Sequence, residues 1–115
     1  MTAHAAFYSE GKGALLDVVH GVVERAVKLL HDHDMVHGDI RLGNILIAKT
    51  GRADDIGARV KIVDFDWAGK AGEVRYPLRL SQVINWPEGV MSYAPITKAH
   101  DEEMVRKLGM ALQAS

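Results

Sequence analysis

Between Leu15 and Leu30 the apolar residues recur with a helical period. Leu15, Val18, Val19, Val22, Val23, Ala26, Val27, Leu29 and Leu30 form a broad stripe, while Asp17, His20, Glu24, Arg25 and Lys28 fall on the other side. The pattern predicts a helix from Ala14 to about Asp32–Asp34, after a mixed lead-in over residues 1–13. Its valines have modest helix propensity, so packing of the apolar stripe must supply the stability. The pattern then shortens. Met35-Val36 leads into a polar loop, Ile45-Leu46-Ile47 follows, and Val60-Lys61-Ile62-Val63 makes a second short apolar run. This reads as strand, polar loop, strand, with a further strand across the polar segment Lys49–Ala58, a long hairpin connection containing Gly51 and Gly57. The glycine-rich stretch after Trp67, A-G-K-A-G-E-V, reads as flexible. Pro77 and Pro87 block continuous helix in Tyr76–Leu80 and Asn85–Val90. A last helix is predicted over Thr97–Ala114. Thr97 is its cap, Asp101, Glu102 and Glu103 lie in its first turn, and Met104, Val105, Leu108, Ala111 and Leu112 form its apolar face. The fold class expected is α+β, with two main helices flanking a small β-hairpin region.

Composition narrows the partners. The chain has 115 residues, enough for one small domain with a core. A formal net charge of -1 gives no reason to expect nucleic acid or an anionic membrane surface as partner. No apolar run reaches the length of a membrane span or a signal-peptide core. There is no cysteine, hence no disulfide and no thiolate zinc site, which is compatible with a cytoplasmic or nuclear chain.

The candidate chemistry lies in Met35–Ile47. The loop carries His37, Asp39, Arg41 and Asn44 between two apolar edges. It can present Asp39 and Asn44 to one point in space. A second carboxylate, Asp64, leaves the Val60–Val63 strand where the chain must turn. If the strands pair as a hairpin, Asn44 and Asp64 lie near the same end of it. An amide oxygen and a carboxylate oxygen there suit magnesium, which prefers hard oxygen ligands and keeps several waters. A carboxylate able to take a proton beside such an ion suits phosphoryl transfer. The run H-D-H-D-M-V-H-G-D could also suggest zinc. His31 and His33, however, sit at a helix end, where cations suit the dipole, and His37 reads as a structural histidine that holds the loop. Asp54 and Asp55 read as solvated. Tyr76 and Trp86 either face a substrate or cover the core, the second reading being preferred.

These residues resemble a known superfamily. H-G-D-I-R-L-G-N is similar to the catalytic loop of protein-kinase-like proteins, H-x-D-x-x-x-x-N, and V-K-I-V-D-F-D-W resembles the metal-binding D-F-G segment that follows it. The Gly38 form of the loop resembles aminoglycoside and choline kinases and a group of fungal kinase-like proteins. The segments R-Y-P-L-R-L and N-W-P-E-G-V resemble the fungal group. The resemblance implies a partial kinase-like C-terminal lobe over residues 1–115: the large-lobe core, with the small lobe absent. It implies ATP and Mg2+ as cofactors. Asp39 would be the catalytic base and Arg41 a cation against the transferring phosphate. Asn44 and Asp64 would bind the metal and, through it, the nucleotide. Asp66, in place of the glycine of D-F-G, would be a third metal contact or a solvated neighbour. Asp101 would match the aspartate that braces the catalytic-loop backbone, and the first and last helices would be the one leading into the loop and the central helix of the lobe.

Two functions follow as expectations. One is a phosphotransferase domain moving the ATP γ-phosphate to a hydroxyl, on a protein serine or threonine in preference to a small molecule. Positioning is worth roughly 7–11 kcal/mol of such a barrier, so half a nucleotide clamp should not turn over by itself. The other is an inactive kinase-like chain acting as an interaction or regulatory protein, through a protein partner or self-association over an uncovered apolar face.

Overall fold

The computed structural model describes residues 12–47 and 59–114, with side chains over residues 17–47 and 59–112. The hairpin connection, with Asp54 and Asp55, and nearly all of the N-terminal lead-in lie outside the described residues. Two helices dominate: α1, Lys12–Asp32, and α2, Lys98–Ala114. Among the described residues between them lie four short strands: β1, Met35–Val36; β2, Ile45–Ile47; β3, Val60–Ile62; and β4, Gly69–Lys70. They form two antiparallel pairs, β2 with β3 and β1 with β4. The arrangement is α+β. Among the described residues no helix is long and apolar enough to cross a membrane.

The helical period places one row of each helix in the core. Val19, Val23 and Val27 of α1 are buried at i, i+4 and i+8, and so are Met104, Leu108 and Leu112 of α2. Each such aliphatic side chain contributes about 1.5–3 kcal/mol on full burial. The stripe read from sequence is wider than the contact. Leu29 is 60% exposed because it projects from the far side of the row, and Ala111 is exposed as well. His20, read as a solvent-facing residue, packs on α2 instead. Its Nε2 lies 3.3 Å from the Val105 carbonyl oxygen, and a Cβ on Gly109 would stand 2.9 Å from that nitrogen. Gly109 therefore lets the two helices approach.

α2 starts as expected. The Thr97 hydroxyl accepts the His100 amide at 3.3 Å, which satisfies one of the first-turn N–H groups. β2 and β3 pair as the predicted hairpin, in the register Ile45↔Ile62, Leu46↔Lys61, Ile47↔Val60. The stretch after Trp67 differs from expectation. Gly69–Lys70 is a strand, paired Val36↔Gly69 and Met35↔Lys70, and the Ala71 amide donates to the Asp34 carbonyl at 2.9 Å. Glycine at 69 reflects space, since a Cβ there would collide with the Val74 side chain. Residues 72–76 then run antiparallel to 94–96, through Gly72 N–H to Ile96 O at 2.8 Å, Ile96 N–H to Val74 O at 2.9 Å and Tyr76 N–H to Ala94 O at 3.0 Å. Tyr76 is 1% exposed and Trp86 packs partly buried against the core, so both cover the core, as preferred from sequence.

Candidate active site

The loop from His37 to Asn44 is held from three sides. α1 ends in a tight turn in which the Asp34 amide donates to the His31 carbonyl at 3.0 Å, with Asp34 itself at φ 59. That reversal sends β1 back along α1 and delivers His37 into the interior, where it is fully buried. The His37 ring is pinned through both nitrogens. Nδ1 accepts the Asp39 amide at 3.1 Å, and Nε2 lies 3.1 Å from the Val63 carbonyl oxygen. A backbone N–H can only donate and a carbonyl can only accept, so these contacts select the Nε2–H tautomer. The ring also meets Phe65 edge-on, with centroids 4.7 Å apart. His37 thus ties the loop to the segment bearing Asp64, the structural role read from sequence.

The second side is α2. Asp101 is fully buried, and its carboxylate receives the His37 and Gly38 amides, each at 2.8 Å, on separate oxygens. His31 Nε2 lies 3.1 Å from the same carboxylate. The expected bracing of the loop by Asp101 is thus present. The contribution of His31 was not read from sequence; the Leu30-His31 pair at the end of the apolar stripe was the available signal. Gly38 sits at φ 88, and a Cβ there would stand 2.9 Å from Ile96 Cδ1. Glycine answers both the left-handed backbone and the close approach of Ile96.

The third side is the hairpin. Arg41 precedes a 3-10 turn, Leu42–Asn44, closed by the Asn44 amide donating to the Arg41 carbonyl at 2.9 Å. Asn44 is 5% exposed, and its Nδ2 donates back to the Asp39 carbonyl at 2.8 Å, which leaves Oδ1 as its acceptor. Asp39 is also 5% exposed and receives Arg41 Nε on Oδ1 at 2.9 Å. Asp39, Arg41 and Asn44 are thereby knitted into one unit. Asp64 joins it through the backbone, because the Val63 amide donates to the Asn44 carbonyl at 2.9 Å and extends the β2–β3 ladder by one step. Asp64 itself is exposed and turns at φ 59, and its Oδ1 accepts the Asp66 amide at 3.4 Å. Asp66 is exposed too.

Behind the loop is a network that sequence reading passed over. The Tyr76 hydroxyl lies 2.9 Å from His100 Nδ1. Burial pushes the Tyr76 phenol well above the usual phenol range, helped by the negative charges of Asp101 and Asp39. Burial also lowers His100 below its ordinary 6.5, against an opposing pull from Asp101. Trp67 stacks edge-on against Tyr76 at 5.9 Å and lies 5.9 Å from Trp86.

Among the described residues no group of three or more His, Asp or Glu side chains could hold a metal ion, and His31 and His37 are spent on Asp101 and on Val63 and Asp39. Asn44 Oδ1 and the Asp64 carboxylate, at one end of the hairpin, are hard oxygen donors. Two such ligands fit an ion that fills the rest of its shell from water and phosphate.

Comparison with known proteins points to kinases. Serine/threonine-protein kinase 17A of Oryctolagus cuniculus is 38% identical over 79 residues, covering 65% of this chain and 18% of that protein. The chain thus spans less than a fifth of the length of that relative. The family model described as fungal protein kinase matches residues 6–79, which take in both the catalytic-loop-like and D-F-G-like segments, and the chain belongs to that family.

Proposed function

We propose that this chain is the core of a kinase-like large lobe whose chemistry is transfer of the ATP γ-phosphate to a hydroxyl, on a protein serine or threonine. The observation that carries this reading is the single unit made by Asp39, Arg41 and Asn44, with Asp64 held at its edge by the Val63–Asn44 hydrogen bond. Asp39 is the base. It takes the proton of the acceptor hydroxyl as that oxygen bonds to phosphorus and the bond to the β-phosphate oxygen breaks. Arg41 holds a fixed positive charge beside that carboxylate, where phosphate charge would gather. Asn44 Oδ1 and Asp64 would hold magnesium, which when bound neutralises the phosphates. Catalysis of this kind rests on positioning and charge, and the residues here position rather than react, Asp39 excepted.

The test is magnesium-dependent ATP binding, followed by calorimetry and by amide shifts. Binding that needs Mg2+, perturbs Asn44 and Asp64, and is lost in Asp64→Ala but kept in Asp17→Ala is the expected result. No binding, or binding indifferent to Asp64→Ala and Asn44→Ala, would overturn the phosphotransferase reading. A stable complex with another protein would then favour an interaction role.

A further inference from the structure

Gly43 has a consequence for Arg41 that its backbone does not require. A Cβ built on Gly43 would stand 2.8 Å from Arg41 Nη1 and 3.8 Å from Cζ. The Arg41 guanidinium therefore lies across the 3-10 turn, directly over residue 43, while its Nε reaches Asp39 Oδ1 at 2.9 Å. Arg41 is partly exposed, at 42% for the side chain, and Asp39 is buried. The cation could extend into solvent, yet it folds back over the one residue of the turn that lacks a side chain.

We propose that Gly43 is a positioning residue: by leaving the space over the turn empty, it seats the Arg41 guanidinium against Asp39. The guanidinium is planar and rigid, and Nε–H lies in its plane. A methyl at residue 43 leaves two ways out. Translation of the group by about half an ångström takes Nε to the limit of hydrogen-bond reach. Rotation about Cδ–Nε swings the N–H bond off the carboxylate, and such bonds weaken steeply with misalignment. The obstructed atom is the far end of a flexible side chain and Gly43 needs no left-handed backbone, so the change is cheap for the fold. Removing a glycine also restricts the unfolded chain, which favours stability. Fold and site thus respond in opposite senses, and this separates positioning from structure. The catalytic weight of the idea rests on the reading of Asp39 as base; the geometric part does not.

The experiment compares wild type with Gly43→Ala, Asp39→Asn and Arg41→Lys by nitrogen-15 NMR of the arginine side chains, with thermal melts in parallel. The Arg41 Nε–H resonance of the wild type should be displaced and protected from exchange, and Asp39→Asn should abolish both properties. In Gly43→Ala the resonance should move towards its position in Asp39→Asn, with the melting temperature unchanged or raised. On the Arg41→Lys background the Gly43→Ala change should leave the Asp39 carboxylate carbon shift where it was, since no guanidinium remains to be moved. An Arg41 resonance unchanged by Gly43→Ala would overturn the proposal. A melting temperature lowered in Gly43→Ala and equally lowered on the lysine background would also overturn it, by showing a purely structural role. No nucleotide is needed, so failure of magnesium-dependent ATP binding leaves this result readable.

Discussion

Asp101→Ala should be the most damaging single change to the loop. The carboxylate is fully buried and accepts two equally buried backbone amides at 2.8 Å, from His37 and Gly38. Alanine leaves both N–H groups without their acceptor. A buried donor left unsatisfied costs about 1–3 kcal/mol, so two cost about 2–6 kcal/mol before the His31 contact is considered. Small domains have about 5–15 kcal/mol in total, which makes this a large fraction. Asp101→Asn keeps one acceptor oxygen but turns an NH2 towards the other amide, and it should fall between wild type and alanine. Urea denaturation measures the loss, and hydrogen exchange at His37 and Gly38 locates it. Glu102→Ala is the control. That residue is 70% exposed and 3.9 Å from His31 Nδ1, so its removal should cost about 0–1 kcal/mol. If Asp101→Ala unfolds with an unchanged slope and within about 1 kcal/mol of wild type, the bracing role is wrong. If alanine is too unstable to measure, Asp101→Asn decides, and protection of both amides at wild-type levels would refute the reasoning.

Two further perturbations follow. Gly38→Ala forces an L-residue to φ 88 and puts its Cβ 2.9 Å from Ile96 Cδ1; a loss of about 1–3 kcal/mol is expected in denaturant titrations, with Ile96→Val restoring the contact share but not the backbone share. Burial lowers His100 in the folded chain below 6.5, with Asp101 opposing, so near that pH the unfolded chain holds more protons. Its contribution to stability is therefore complete above about pH 6.5 and is lost as the pH falls from there through the folded value, and melting temperatures across that range should show a slope that His100→Gln removes.

What the linear pattern determined was whatever repeats or neighbours itself. The valine row of α1 and the Met104–Leu108–Leu112 row of α2 are periodic, so both helices and most of their buried faces were legible. The β2–β3 pairing was also legible, since two apolar runs flank one polar connection. Asp39, Arg41 and Asn44 lie within six residues, and a loop that short brings them together by local geometry alone. Strands of two residues carry no alternation, so Met35-Val36 read as a strand but its pairing with β4 left no signal, and Gly69 read as flexibility rather than as room for Val74. Leu29 matched the period yet faces out, because period alone does not say how wide a face its neighbour covers. Tertiary structure decided everything that joins distant parts. Asp101 reaches His37 and Gly38 across 64 and 63 residues, His31 meets it from the other helix, and Tyr76 meets His100 from the loop between. These contacts set the loop's shape because a buried amide must find an acceptor, and which acceptor it finds depends on how the two helices pack.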